Sequence, residues 1–147
     1  MHKLIPPHLF LLCAASMPIL DDMCPIYRVT LSYIRYAGIS MFAAGLLLAY
    51  YVSKVFKKYD TEIHTFGKPT RMITEGFFKY SRNPIYVGFT ASLIGLNLFM
   101  GSLSTLFPTC LFVVVTQYMY IPYEEKTIEK LFGTEYLNYK RKVRRWL

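Results

Sequence analysis

One end of a long uncharged stretch is marked by a polar and aromatic run, Tyr80-Ser81-Arg82-Asn83-Pro84-Ile85-Tyr86. From residue 83 to residue 123 the chain has no Asp, Glu, Lys or Arg, and the pair Glu124-Glu125 follows immediately. Phenol, guanidinium and carboxamide groups therefore lie at one end of an apolar stretch, and two carboxylates lie at the other. We expect a ligand site built from the ends of two membrane helices.

The pair Asn83-Pro84 predicts the start of a helix. Asn is a favoured N-cap, and Pro suits the first helical position because its missing N–H is no loss there. Free N–H groups and a partial positive charge at a helix N-terminus suit a ligand carboxylate, and Tyr86 can present its ring or hydroxyl to the same pocket. An ordinary capped helix with aromatic residues at the membrane interface is the alternative.

The two carboxylates at the far end of the stretch can likewise be interpreted as ordinary helix capping or as ligand binding. Acidic residues in a first helical turn are favourable for the helix dipole alone, and we interpret Glu125 in that way. A carboxylate at the membrane face can also bind ribose hydroxyls, an ammonium group or a sulfonium. A hairpin would place Glu124 opposite Asn83, so we predict that Glu124 binds a ligand.

The elements that must position these groups follow from the composition. The chain has 147 residues, 54% of them hydrophobic, with a net charge of +8 and mean hydropathy +0.29, which indicates one integral membrane domain over residues 1–147. The stretch 84–123 exceeds one span of roughly 20 residues. We therefore predict a helical hairpin near 84–100 and 103–121, with Gly95, Asn97 and Gly101-Ser102 marking its middle.

Two further apolar blocks, residues 4–20 and 36–53, complete the predicted fold. Backbone groups in hydrocarbon must be satisfied within their own segment, which favours helices. The fold class predicted is an all-α polytopic membrane protein with about four transmembrane helices, a C-terminal hairpin, a cytoplasmic loop and an amphipathic C-terminal helix interrupted at Gly133. The first block also resembles a secretory signal with the small-residue site Ala14-Ala15-Ser16, although we favour a retained span.

The charges orient this arrangement. Residues 54–82 and the part of the chain after 123 hold seven basic residues each, 14 of the 17 in the chain. The positive-inside rule then places both segments, and the site, on the cytoplasmic side of the bilayer. We expect the loop 54–82, including Phe66-Gly67-Lys68-Pro69, to be ordered against the membrane face. The basic run 140–145 suits lipid rather than nucleic acid, with Trp146 as an interfacial anchor.

Two stretches resemble the isoprenylcysteine carboxyl methyltransferase family in its short prokaryotic form. They are residues 72–88 (MITEGFFKYSRNPIYVG) and residues 124–136 (EEKTIEKLFGTEY), and Tyr139, Val143 and Arg145-Trp146-Leu147 continue the likeness. The resemblance is specific over roughly 70–147. It implies a membrane enzyme that binds S-adenosyl-L-methionine without a Rossmann domain, and the chain has no GxGxxG motif.

By this resemblance, the cofactor is held by the loop before the hairpin, the hairpin start and the acid after the last span. The matching cofactor-binding positions are Thr70, Arg71, Met72, Ile73, Phe78, Asn83, Tyr86 and Glu124. Eukaryotic members carry His at the position of Asn83, and an acceptor-binding Arg at the position of Tyr120. We hypothesise that Arg82, Tyr86 and Tyr120 line the acceptor channel.

The function expected is methyl transfer to a lipophilic or prenylated acceptor, as carboxyl O-methylation of an isoprenylcysteine-like or other amphiphilic carboxylate. Phospholipid amine N-methylation and a non-catalytic membrane scaffold are the alternatives. The scattered cysteines and histidines have no metal-ligand spacing, so we predict no metal site. The partners expected are the bilayer and the acceptor, with no nucleic acid.

Overall fold

The computed structural model describes residues 5–28, 31–59 and 70–147, and helices make up most of them. The helices, with the turns between them, are α1 (Pro6–Met23), α2 (Ser32–Lys58), a 3-10 turn (Gly76–Lys79), α3 (Pro84–Met100), a 3-10 turn (Leu103–Thr105), α4 (Leu106–Val115), a π-helical turn (Thr116–Tyr120) and α5 (Ile121–Lys142). The described residues form no strand, only an isolated bridge between Arg28 and Ser102. The all-α prediction is confirmed.

Two helical stretches of the described chain are long and apolar enough to cross a membrane. They are Ser32–Lys58 and the continuous stretch Leu103–Lys142, while α3 is apolar but shorter at 17 residues. This pattern agrees with the membrane class predicted from composition, and the count of four spans stays a prediction. The expectation for Phe66-Gly67-Lys68-Pro69 lies outside the described residues.

The hairpin turn lies where the sequence predicted it. Helix α3 ends at Met100, and Gly101 adopts the left-handed conformation (φ 73°) that a residue without a side chain tolerates best. The Gly101 N–H donates to the Asn97 carbonyl oxygen at 2.8 Å, which closes the helix. Gly95 and Asn97, which were expected together with Gly101-Ser102 to mark the middle of the uncharged stretch, lie inside α3 and within the predicted helix limits of 84–100.

Gly95 has a packing role, because α2 and α3 approach each other through small residues. A β-carbon at Gly95 would lie 2.6 Å from the Gly38 carbonyl oxygen, and one at Gly88 would lie 2.7 Å from the Gly45 carbonyl oxygen. Gly38 and Gly45 are seven residues apart in α2, and Gly88 and Gly95 are seven residues apart in α3. Small residues permit this close backbone contact between membrane helices. The contact fixes how the ends of α2 and α3 are placed at the site.

Helix α1 packs into the same bundle. Its residues Phe10 and Met17 are buried in a cluster that includes Leu93 and Phe112. The rings of Phe10 and Phe89 stack with centroids 4.7 Å apart. This packing makes α1 part of the bundle, and the choice between a retained span and a cleaved signal stays a prediction.

The chain beyond α4 folds back on the bundle. Helix α5 is kinked at Gly133 (φ 51°, ψ −121°), where the sequence predicted an interruption. The tail segment (residues 143–147) then returns to the start of α3. Trp146 packs against the core cluster, and its Nε1 donates to Gln117 Oε1 at 2.8 Å. Trp146 is therefore held against the bundle, and its role as an interfacial anchor stays a prediction.

Candidate functional site

A cavity of about 510 Å³ lies among the helix ends that the hairpin and the tail segment bring together. Its volume falls within the range of roughly 300–1,000 Å³ that is typical of small-molecule and cofactor sites. The wall residues used below come from α2 (Leu46, Phe56, Lys57), the loop before α3 (Arg71, Met72, Ile73, Phe78, Arg82, Asn83), α3 (Tyr86, Phe89) and α5 (Glu124, Glu125, Tyr136, Tyr139).

The start of α3 lies on this wall. Asn83 is the N-cap and Pro84 the first helical residue, as predicted. The Asn83 side chain, however, makes no capping hydrogen bond to the helix; its Nδ2 donates to the Arg145 carbonyl oxygen at 3.0 Å. The N-cap position of Asn83 was therefore predicted correctly. The capping hydrogen bond is not formed, because the Asn83 carboxamide bonds to the tail segment instead.

The two ends of the uncharged stretch meet at Tyr86 and Glu124. The Tyr86 hydroxyl donates to Glu124 Oε1 at 2.8 Å, and the Tyr86 side chain is only 2% exposed. A hydrogen bond from a phenol to a carboxylate is charge-assisted and stronger than one between neutral groups. The structure thus brings the two helix ends predicted to form the site together at one cavity. Their ligand-binding roles stay predictions.

The neighbouring acid, Glu125, has different partners. Its Oε1 accepts from Arg82 Nη2 at 2.6 Å, and its Oε2 accepts from Arg145 Nη2 at 2.8 Å. Glu125 is 5% exposed and lies beyond Tyr123, the last residue of the uncharged stretch. Burial raises the pKa of Glu125, but the hydrogen bonds and charges of the two arginines outweigh it and hold that pKa below 4.5. Glu125 is therefore a buried carboxylate bridging two cations.

Two tyrosines of α5 close the same side of the cavity. The Tyr139 hydroxyl donates to the Phe78 carbonyl oxygen at 2.7 Å, and burial raises the pKa of Tyr139 to about 12. The Tyr136 hydroxyl is buried close to the Arg82 guanidinium and makes no hydrogen bond of full geometry within the described part of the chain. A buried polar group left in this way is uncommon in a folded protein.

The structure places most of the predicted site residues on the cavity wall. Those on it are Arg71, Met72, Ile73, Phe78, Arg82, Asn83, Tyr86 and Glu124. Thr70 is exposed and Tyr120 is buried in the core cluster, and neither belongs to the lining. Arg82 is on the wall, but it donates to Glu125 and to the carbonyl oxygens of Lys140 and Val143. Its hypothesised part in an acceptor channel has no support from these contacts.

Sequence reasoning missed several wall residues. Lys57 and Phe56 come from the end of α2, and Tyr136 and Tyr139 come from α5. The helical spacing of the α5 aromatics indicated a buried face but not what that face covers. Glu125 was interpreted as a capping acid, although a carboxylate next to a basic tail is also a signal for an ion pair.

Comparison with known proteins identifies the family of the chain. The phospholipid methyltransferase family model matches residues 33–135, so the chain belongs to that family. The chain is 29% identical over 125 residues to methanethiol S-methyltransferase 1 of Bradyrhizobium diazoefficiens. That alignment covers 81% of this chain and 41% of the relative, so the chain spans well under half of that protein's length.

A second relative is shorter. An uncharacterized protein of Haemophilus influenzae is 35% identical over 63 residues, which is 43% of this chain and all of that protein. No solved structure matches the chain. The membrane methyltransferase resemblance found in the sequence is confirmed at the level of the family.

Proposed function

We propose that the chain is an S-adenosyl-L-methionine-dependent methyltransferase that acts on a lipophilic acceptor. The observation that carries this proposal is the convergence of Tyr86 and Glu124 at a cavity whose wall also holds the 71–73 loop and Asn83. Membership of the phospholipid methyltransferase family supports the same chemistry.

The charged and apolar groups of the wall suit the groups of the cofactor. Glu124 is an acid suited to an ammonium, a sulfonium or ribose hydroxyls, while Lys57 and Arg71 are cations suited to a carboxylate. Apolar side chains such as Met72 and Phe78 offer a surface for an adenine ring. The Tyr136 hydroxyl, which makes no hydrogen bond of full geometry among the described groups, adds a polar atom beside the cavity.

The chain's part in the reaction is binding, orientation and exclusion of water. The cofactor supplies a methyl group on a sulfonium, which is already a good electrophile. Tyr86 and Glu124 fix one side of the cavity through their hydrogen bond, and Phe78 is held by Tyr139 on another. Holding two reactants in line lowers the barrier by several kcal/mol, roughly 7–11 at best.

The acceptor proposed first is an isoprenylcysteine-like or other amphiphilic carboxylate. Leu46, Phe56 and Phe89 form an apolar part of the wall suited to an isoprenoid or acyl chain. Lys57 or Arg71 can pair with the acceptor carboxylate, in place of the arginine that the resembled family carries at the position of Tyr120. The basic segments, placed in the cytoplasm by the positive-inside rule, put the cofactor on that side.

A thiol or amine acceptor is the second candidate, and the Tyr86–Glu124 hydrogen bond favours it. When a sulfur or nitrogen gains a methyl group, its S–H or N–H proton must leave, whereas a carboxylate has none to lose. Glu124, reached through Tyr86, can take that proton. The name of the Bradyrhizobium relative points to a thiol, and the name of the family points to a phospholipid.

Cofactor binding tests the proposal directly. Calorimetry of the protein in nanodiscs should detect S-adenosylmethionine and S-adenosylhomocysteine, and Glu124→Gln should weaken both about tenfold or more through loss of a charged partner. The matched control is Glu135→Gln, which removes an exposed acid from the same helix. A wild-type protein that binds neither ligand favours the scaffold and overturns the proposal. Unchanged affinity in Glu124→Gln removes Glu124 from the site.

An acceptor screen with the radiolabelled methyl donor separates the two candidates. A methyl ester releases its label as methanol on treatment with base, while a methylated amine keeps it. A small methylated thiol yields a volatile labelled thioether without base. Prenylcysteine, phosphatidylethanolamine and a short alkyl thiol are suitable probes. Base-labile label supports the first candidate, and either of the other results supports the second.

A further inference from the structure

The tail segment (residues 143–147) is attached to the loop that carries Asn83. The Arg82 backbone N–H donates to the Arg144 carbonyl oxygen at 2.9 Å. The Arg145 carbonyl oxygen accepts from Asn83 Nδ2 at 3.0 Å and from Ser81 Oγ at 3.3 Å. Three successive residues before α3 are therefore bonded to two successive residues of the tail.

The Arg82 side chain extends the attachment to the end of α5. Its Nη1 donates to the Val143 carbonyl oxygen at 2.7 Å and to the Lys140 carbonyl oxygen at 3.3 Å. Carbonyl groups at a helix C-terminus lack helical partners and carry partial negative charge, so a guanidinium suits them. Arg82 thus joins the start of α3 to the end of α5.

These contacts between the tail segment and the loop before α3 form a junction, and Glu125 pairs with an arginine from each side of it. Its Oε1 accepts from both Nε and Nη2 of Arg82, at 3.1 and 2.6 Å, and its Oε2 accepts from Arg145 at 2.8 Å. The side chains of Glu125 and Arg82 are 7% and 10% exposed, and that of Arg145 is 30% exposed. Water screens such a buried group weakly, and removing the carboxylate leaves two guanidinium groups facing each other.

This junction reaches the cavity through Asn83. A side-chain amide whose Nδ2 is held by a fixed carbonyl oxygen has its plane, and so the direction of its own oxygen, set by that bond. Asn83 and Arg82 are both on the cavity wall, whereas Arg145 is not part of the lining. Arg145 therefore has no place on the wall itself, and the contacts that link it to the cavity run through the residues that it holds.

We propose that the tail segment is a working part of the ligand site, in which Glu125 and Arg145 are positioning residues that fix the loop at Arg82 and thereby hold Asn83 in its binding geometry. This inference rests on the proposed function, because it takes the cofactor to be the ligand at Asn83. It assigns to Glu125 a role different from that of Glu124, although the two carboxylates are adjacent in the chain.

The test compares two neighbouring arginines of the tail. Arg145→Met removes one of the two cations that pair with Glu125. Arg144→Met removes the same charge from an exposed side chain one residue earlier. Arg145→Lys keeps the charge and loses the planar fork of donors. Two readouts are needed: the affinity for S-adenosylhomocysteine, and hydrogen exchange at the Arg82 amide in the ligand-free protein.

We expect Arg145→Met to weaken the affinity about tenfold and to speed exchange at Arg82, with partial recovery in Arg145→Lys and no change in Arg144→Met. Faster exchange at the Arg82 amide with unchanged affinity for S-adenosylhomocysteine would mean that the tail segment stabilises the fold only. This result would overturn the assignment. Unchanged exchange together with unchanged affinity would overturn the junction itself. A wild-type protein with slow exchange at Arg82 but no affinity for the ligand would instead overturn the proposed function, and this assignment with it.

Discussion

Two contacts in this protein bring distant backbone segments together, and they do so by opposite means. Between α2 and α3 the approach depends on the absence of side chains, at Gly38, Gly45, Gly88 and Gly95. Between the tail segment and the start of α3 it depends on charge, with one buried carboxylate between two guanidinium groups. The first contact lies along apolar helices, and the second lies beside the cavity.

The comparison shows that the helix bundle and the site are stabilised by different interactions, close packing of glycines in the first and ion pairs in the second. Helices in hydrocarbon gain little from burying apolar surface against each other, so close packing of small residues has to stabilise them. Beside the cavity, ion pairs can fix side chains in one orientation. Volume should therefore control the α2–α3 contact, and charge state should control the tail junction.

The largest effect is expected from filling the space between α2 and α3. In Gly45→Leu the new β-carbon would meet the Gly88 carbonyl oxygen and the backbone of Ser92, neither of which can rotate away. The loss of stability should exceed the roughly 1–3 kcal/mol of ordinary overpacking. Thermal unfolding in detergent, followed by circular dichroism, would show little or no folded protein.

Ala44→Leu is the matched control for this change. It adds the same side chain one residue earlier, at an exposed position of the same helix. Folding of Ala44→Leu should match the wild type. Equal stability of Gly45→Leu and Ala44→Leu would show that volume does not control the α2–α3 contact.

Removal of the shared carboxylate should have the next largest effect. Glu125→Ala leaves Arg82 and Arg145 without their buried counter-charge, and breaking such a pair typically costs about 3–5 kcal/mol. The midpoint of thermal unfolding should fall by several degrees. Glu129→Ala, which breaks the exposed pair with Lys140, should cost less than about 1 kcal/mol. A comparable cost for the two variants would contradict the central place given to Glu125.

Acid should weaken the tail junction without changing the sequence. The pKa of Glu125 lies below 4.5 in the folded protein, so the unfolded chain takes up the proton first as the pH falls. The carboxylate therefore stabilises the fold fully above pH 4.5, and this contribution is lost as the pH falls through the lowered pKa. The Tm difference between wild type and Glu125→Gln should narrow below pH 4.5. A constant difference down to pH 3 would be the contrary result.

The smallest effect is expected at Ser92, the one hydroxyl placed directly in the α2–α3 contact by the described hydrogen bonds. Its Oγ donates to the Phe42 carbonyl oxygen at 3.2 Å and to the Gly88 carbonyl oxygen at 3.0 Å. Hydrogen bonds between membrane helices average about 0.6 kcal/mol, and both acceptors belong to helical backbone. Ser92→Ala should shift Tm by a degree or two, and a loss as large as that of Glu125→Ala would mean that polarity holds this contact.

The parts of the fold that local chemistry determines could be predicted from the sequence. The limits of α3 follow from Asn83-Pro84 at one end and Gly101 at the other, and the uncharged stretch between them fixed the membrane class. The meeting of Tyr86 with Glu124 followed from the hairpin, because a tight turn returns the chain to the level at which it began.

The contacts that depend on a distant partner could not be predicted in this way. Gly95 has the same turn-forming chemistry as Gly101, and only the approach of α2 explains why a residue without a side chain is needed at that point of the helix. Glu125 has all the features of a capping acid until Arg145, 20 residues later, is seen to return to it. Tyr120, expected in the site, is turned into the core at the end of the π-helical turn.

That π-helical turn, Thr116–Tyr120, determines which of the two adjacent acids lies at Tyr86 and which lies at the two arginines. Its hydrogen bonds run from residue i to i+5, so it accommodates one residue more than an α-helical turn would. Neighbouring side chains on a helix differ in direction by about 100°. Deleting one residue from the turn would therefore rotate every side chain of α5 by that angle about the helix axis. The extra residue in this one turn thus sets the rotation of α5 about its axis. That rotation directs Glu124 towards Tyr86 and Glu125 towards the two arginines.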